Sequence, residues 1–252
     1  MKTLVMLPGL IALLLAGGLP AAESQNLPAP AEIQGLPCQG TVRFFANGRI
    51  AFCTLSRDQK IGDLLLPAET EVAFTPTGEW CEMLLGADAT VFHLRLPAKS
   101  RVFAACRFGY PSIWPAHDMV IQGQLCTARD DGIGHYLYPS GRLRGVWLKK
   151  ATVIDGVPCT SSPNPITMPF RVLFFGTVRM AWFHENGRLQ QAMLARGCTI
   201  QGHAFKKGDI ISLSPEGNLE FPAKHWGDET SGPVAPPWWP KSKPQSKPTP
   251  QQ

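Results

Sequence analysis

The chain has few of the residue spacings by which a catalytic or metal centre is usually recognised. Its six histidines form neither His-x-His nor His-x-x-x-His, and its seven cysteines form no Cys-x-x-Cys. Zinc sites and thioredoxin-like sites depend on such close spacings. No serine or cysteine stands in a nucleophile-elbow context. The sequence therefore predicts no cofactor and no metal site, and it favours a non-enzymatic function.

Helical periodicity and a basic surface are also missing. After the first 22 residues, no stretch of a dozen residues keeps a 3.6-residue apolar period free of Gly or Pro. The net charge is +5, but four of these charges come from Lys2, Lys241, Lys243 and Lys247, at the two ends of the chain. Nucleic-acid binding usually needs a basic stripe on a folded face. We therefore expect an all-β chain with no nucleic-acid partner.

The beginning of the chain predicts an export signal. Lys2 precedes an apolar stretch over residues 4–15, and small residues follow up to Ala22. This order is typical of a signal peptide, and the apolar stretch is shorter than the roughly 20 residues that span a bilayer. The rest of the chain has no second long apolar run and no Asn-x-Ser/Thr site. We expect a periplasmic or extracellular, bacterial protein whose mature chain has no transmembrane segment.

An internal duplication follows the signal. Residues 41–68 align with residues 71–98 without a gap and share nine identical positions. Roughly two identities would be expected by chance between unrelated segments of this length. A β-branched residue continues the same frame along the chain, and in four of the six units it opens an Ile-x-Gly tripeptide. These anchors are Ile33, Ile61, Val91, Ile121, Ile154 and Ile200.

A turn glycine lies thirteen residues before several anchors and predicts a β-hairpin. Apolar residues precede it by four positions and follow it by two, and a leucine lies seven positions after it. The sequence thus predicts three-stranded units of about 30 residues that join into an extended or rolled antiparallel meander. The unit at residues 101–124 lacks a turn glycine in frame and should be deformed. The turn glycines are Gly48, Gly78, Gly141, Gly187 and Gly217.

These patterns divide the chain into four parts. Residues 1–22 are the predicted signal peptide, residues 23–32 a linker, and residues 33–221 the β-repeat domain, with an insertion at about residues 160–174. Residues 222–252 are too rich in proline to pack as a further repeat and predict a disordered tail.

One unit carries a family resemblance. The segment from Tyr138 to Trp147 combines an aromatic residue, the turn glycine Gly141 and a second glycine, Gly145. It resembles the MORN-type hairpin repeat, and the Asn-Gly-Arg-Leu segment that begins at Asn186 resembles repeats of the YwqK antitoxin type. Proteins of these types are typically binding or scaffolding modules. The resemblance implies a binding role and no catalytic residues.

Cysteine and tryptophan are the remaining candidate functional residues. Cys38, Cys126 and Cys159 share a repeat position with Leu66 and Leu96, so we expect buried core residues, with disulfides within or between units as alternatives. Because the cysteine count is odd, at least one thiol lacks an intramolecular disulfide partner. Tryptophan in the irregular unit, in a strand or beside proline suits an exposed contact surface. The predicted binding residues are Trp114, Trp147, Trp238 and Trp239.

Three functions fit these observations. The first is an exported non-enzymatic binding or scaffold protein of the cell envelope or periplasm, with a protein, peptide or envelope polymer as its partner. The second is an envelope-acting enzyme whose site is assembled from distant repeats, which would require a His or carboxylate pair in a cleft. The third, an exported immunity-like protein that neutralises a toxin, rests on the resemblance.

Overall fold

The computed structural model describes residues 23–105, 109–128, 134–161 and 180–220. This part of the chain consists almost entirely of β-strands, as the sequence predicts. The strands that build the main sheet are β1 (Glu23–Ile33), β2 (Leu36–Phe44), β3 (Ile50–Leu55), β6 (Glu71–Phe74), β7 (Trp80–Leu84), β10 (Arg101–Phe103), β11 (Ser112–Trp114), β14 (His135–Leu137), β15 (Leu143–Val146), β18 (Ala181–Phe183), β19 (Leu189–Met193) and β22 (Ile210–Ser212).

The main sheet is an antiparallel meander of 12 strands. Its spatial order follows the chain from β1 at one edge to β22 at the other, and all pairings between neighbours are antiparallel. The predicted antiparallel meander is therefore confirmed, and its form is an open sheet.

Short two-stranded hairpins alternate along the chain with the hairpins of the main sheet. They are β4 (Gln59–Ile61) with β5 (Leu64–Leu66), β8 (Ala89–Val91) with β9 (Leu94–Leu96), β12 (Met119–Ile121) with β13 (Gln124–Cys126), β16 (Thr152–Ile154) with β17 (Val157–Cys159), and β20 (Cys198–Ile200) with β21 (His203–Phe205).

The regular unit thus has four strands, and the expectation of three was wrong. The reason is that each Ile-x-Gly anchor is itself a two-residue turn between short strands. In β12–β13, for example, Gln122 and Gly123 have φ angles of 47° and 84°, which is the geometry of a tight type I′ hairpin.

The core lies between the main sheet and the layer of short hairpins. Both layers contribute fully buried side chains, and the isolated bridges Cys126↔Leu148 and Cys159↔Leu194 tie short hairpins to the ends of sheet strands. The leucines seven positions after the turn glycines are buried. They are Leu55, Leu85, Leu148 and Leu194.

Two parts of the chain differ from the regular unit. The segment predicted as a linker, residues 23–32, belongs to β1, which pairs with β2 and is the edge strand of the sheet. Pro28 and Pro30 lie at its irregular centre and, lacking an N–H, protect this edge from further strand pairing. In the deformed third unit, residues 104–111 connect β10 to β11, whereas five residues connect β6 to β7.

The predicted signal peptide, the predicted disordered tail and residues 162–174 of the predicted insertion lie outside the described residues.

Candidate binding face of the sheet

The main sheet has a second face, opposite the short hairpins, which we call the open face. Alternation along each strand places the core residues on one side and a different set of residues on the other. One row of that set runs in register across eleven strands. It consists of Arg43, Phe52, Ala73, Glu82, Phe103, Ser112, Tyr136, Gly145, Trp182, Gln191 and Ser212.

The half of the open face over β2 to β10 is partly exposed and combines charged with apolar groups. Arg101 donates a hydrogen bond to Glu82 at 2.7 Å, and 41% of the Arg101 side chain remains exposed. The guanidinium of Arg43 lies 5.4 Å from the ring centre of Phe52 on the neighbouring strand. Leu84, which pairs with Arg101, is half-buried. This part of the sheet presents apolar surface beside fixed charges.

The other half of the open face is aromatic. Phe103 and Trp114 contact each other with ring centres 4.6 Å apart, and Tyr136 stacks on Trp182 at 5.9 Å with an interplanar angle of 10°. The absence of a side chain at Gly145 makes room for this stack, because a Cβ there would lie 2.7 Å from the Trp182 ring. Glycine is therefore required at this position for the ring to lie against the strand.

Several aromatic side chains of this half are buried even though the main core lies on the opposite side of the sheet. Trp147, Met180 and Trp182 form a separate apolar cluster, with Tyr136 packed against it. Phe103 is fully buried as well.

A cation–aromatic contact lies near the β14–β15 turn. The Arg144 guanidinium is 3.7 Å from the Tyr110 ring centre and 5.2 Å from that of Tyr138. The Tyr138 hydroxyl donates a hydrogen bond to the Phe183 carbonyl at 2.8 Å, which holds this ring between neighbouring hairpins. The contact thus joins the irregular third unit to the two units that follow it.

Two polar atoms of β11 lie buried on this side of the sheet. Within the described part of the chain, neither the Ser112 hydroxyl nor the Trp114 indole N–H has a hydrogen-bond partner. Ser112 is fully buried and belongs to the row across the open face. Buried polar atoms without partners cost free energy, so these two atoms destabilise the sheet locally.

The structure describes two of the four tryptophans predicted to bind. Trp114 is half-buried on the open face, and its ring contacts that of Phe103 at an interplanar angle of 52°. Trp147 is 1% exposed, so the expectation that it is exposed was wrong, because it packs into the cluster with Trp182. Trp238 and Trp239 lie outside the described residues. The part of all four in binding stays a prediction.

Among the histidines, His135 lies on strand β14. Its ring is fully buried, with Nε2 3.0 Å from the Thr127 carbonyl and Nδ1 3.3 Å from the backbone N–H of Trp147. Since the Trp147 N–H donates to Nδ1, the proton resides on Nε2, which donates to Thr127. These two bonds give the ring a structural role between β14 and the segments beside it.

Carboxylates at turns have the structural role that the sequence predicts. Asp58 and Asp88 accept hydrogen bonds from the backbone N–H of the residue ten positions later, at 2.9 and 3.0 Å. Asp118 does the same in the third unit and also contacts Lys149 at 2.8 Å. Hydrogen bonds from Lys149 and Ala128 lower the pKa of Asp118.

The cysteines predicted as core residues are buried. Cys38, Cys126 and Cys159 are at most 1% exposed, and burial raises the pKa of the Cys126 and Cys159 thiols to about 12. Both thiols therefore stay protonated near neutral pH. Among the described residues, no group of three His, Cys, Asp or Glu side chains could hold a metal ion.

The open-face residues Arg101, Tyr136 and Trp182 were not identified from the sequence. The available signal was alternation, since each lies next to a residue that packs into the main core. In such short strands this signal shows only that two faces exist.

Comparison with known proteins yields no relative. No family model, curated protein or solved structure matches this chain significantly. Within the described residues, no helix is long and apolar enough to cross a membrane.

Proposed function

We propose that this chain is an exported, non-enzymatic β-repeat protein of the bacterial periplasm or cell exterior that binds a protein, peptide or envelope polymer through its open face. The observation that carries this proposal is the row of residues in register across the sheet. These side chains lie opposite the short hairpins, and the half over β2 to β10 is accessible to a partner.

The chemistry of the accessible half supports binding. Phe52 and Leu84 supply apolar contact area, and Arg101 and Glu82 supply charge at a fixed position. Aromatic residues and arginine are the types most enriched at the centres of protein interfaces. A sheet also holds such groups rigidly, so little conformational entropy is lost on binding.

The resemblance of the unit around Tyr138 to MORN-type hairpin repeats agrees with a binding or scaffolding role.

The experiment compares two charge reversals. The full-length chain with a C-terminal tag and its Arg101→Glu and Arg95→Glu variants are expressed in the native host, cross-linked and purified from the envelope. Arg101 lies on the open face, whereas Arg95 lies on β9 of the short-hairpin layer with 82% of its side chain exposed. We expect Arg101→Glu to capture at least tenfold less partner than the wild type does, and Arg95→Glu to capture as much as the wild type.

Equal capture by Arg101→Glu and the wild type would show that the open face is not the binding surface. A third variant that lacks residues 222–252 separates the tail from the sheet. Loss of capture in this variant alone would assign binding to the tail and overturn the proposal.

A further inference from the structure

Two cysteine thiols meet in the core of the first hairpin of the main sheet. Cys38 lies on β2 opposite Leu55 of β3, and Cys53 lies two residues before Leu55 on the same strand. Both cysteines face the core and are 0% exposed. They are therefore diagonal neighbours on one face of an antiparallel pair.

The two cysteines are cross-strand neighbours on the core face of the β2–β3 pair. A hydrogen bond between the two side chains lowers the pKa of Cys38 and raises that of Cys53. Cys126 and Cys159, which are equally buried, instead contact the carbonyl oxygens of Gln124 and Val157 at 3.2 and 3.4 Å.

A covalent link between these two cysteines would stabilise one end of the main sheet. The hairpin formed by β2 and β3 lies next to the edge strand β1, at one end of the sheet. Terminal units of a repeat array have a neighbour on one side only and open most easily. A bond between Cys38 and Cys53 would close this hairpin.

We propose that Cys38 and Cys53 form an intramolecular disulfide when the chain folds in the presence of a disulfide oxidant such as oxidised glutathione. The Cys38 thiolate attacks the oxidant, one oxidant thiol leaves, and a mixed disulfide forms. The Cys53 thiolate then attacks Cys38 Sγ and releases the second oxidant thiol. Two cysteine thiols are oxidised, one disulfide is reduced to two thiols, and the protons from the cysteines end on the released thiols.

Oxidation precedes burial in this scheme, because the folded core excludes the oxidant from both sulfur atoms. The proposal is independent of the binding function.

Peptide mapping tests the link directly. The mature chain is refolded with a mixture of oxidised and reduced glutathione, its remaining thiols are alkylated, and it is digested with trypsin without reduction. Arg43 and Arg49 lie between the two cysteines, so cleavage places them on separate peptides. A linked pair that separates on reduction is expected. Alkylated Cys38 and Cys53, or links from either of them to other cysteines, would overturn the proposal.

Thermal unfolding supplies the second measurement. The wild type should unfold about 5 to 10 °C higher when oxidised than when reduced, because the link restricts the unfolded chain. The matched control Cys126→Ala removes an equally buried thiol and should keep this difference, whereas Cys38→Ala should lose it. If oxidised Cys38→Ala still unfolded at a higher temperature than reduced Cys38→Ala, the proposal would be contradicted. If Cys38→Ala does not fold, two measurements on the wild type still test the disulfide. They are the linked peptide pair and the difference in unfolding temperature between the oxidised and the reduced protein.

Discussion

At the scale of single residues, the hydrogen bonds of a glutamine side chain explain why the tripeptide Ile-Gln-Gly recurs in three units. In three units the side-chain amide donates to the carbonyl of a turn glycine, and its oxygen accepts the backbone N–H two residues beyond that glycine. The pairs are Gln34 with Gly48 and Ile50, Gln122 with Gly141 and Leu143, and Gln201 with Gly217 and Leu219. The glutamine side chain thus joins the turn of its own tripeptide to the glycine turn of a hairpin in the main sheet.

Removing this clamp should weaken the fold. We expect Gln122→Ala to lower the free energy of unfolding by about 1 to 2 kcal/mol, since two hydrogen bonds to the backbone are lost. Urea denaturation measures the change. The exposed Gln25 on edge strand β1 gives the matched control, because Gln25→Ala should change stability by less than about 0.5 kcal/mol. Equal stabilities of the two variants would mean that the clamp contributes nothing.

At the scale of elements, turns from different units pack against one another. Gly141, in the β14–β15 turn, has a φ of +78°, and a Cβ there would lie 2.6 Å from the Phe92 carbonyl oxygen in the β8–β9 turn. Gly123 has a similar φ of +84°, but a Cβ there would meet nothing within 4 Å. The two glycines therefore differ in packing and share the same backbone requirement.

This difference predicts unequal costs for the same substitution. Gly123→Ala should destabilise the protein by about 1 kcal/mol, the usual cost of a side chain in the left-handed region. Gly141→Ala should cost about 2 kcal/mol more, because the Phe92 backbone must move. Denaturation midpoints of the two variants test this. A cost for Gly141→Ala no larger than that for Gly123→Ala would contradict close packing of the two turns.

At the scale of the whole molecule, the edge strand connects the fold to the predicted export signal. β1 runs from Glu23, directly after residue 22, and pairs with β2 over most of its length. Removal of a signal that ends near Ala22 would therefore leave the described strand β1, Glu23–Ile33, intact.

We predict that the native host exports the chain and cleaves it near Ala22. The measurement is the intact mass and N-terminal sequence of tagged protein from the envelope fraction. A variant without residues 2–22 is the control and should stay in the cytoplasm. Recovery of uncleaved wild-type chain from the cytoplasm would contradict the prediction.

The positions of the sheet hairpins follow from the local sequence alone. A turn glycine favours a positive φ whatever surrounds it, so Gly48 and Gly78 mark turns in sequence and structure alike. The buried leucines follow, because their distance from the turn sets which face of the strand they occupy. These local rules were enough to predict an all-β meander with its core positions.

Which residues lie on each face of the sheet, and which face is covered, depends on tertiary packing. Period-two alternation distinguishes two faces but not which of them is covered, and Trp147 is buried through packing against Trp182, 35 positions later in the chain. The proximity of Cys38 and Cys53 depends on strand register. The row through Glu82 and Tyr136 depends on the order of many strands. Such contacts join residues that are distant in sequence, so no local pattern of residues records them.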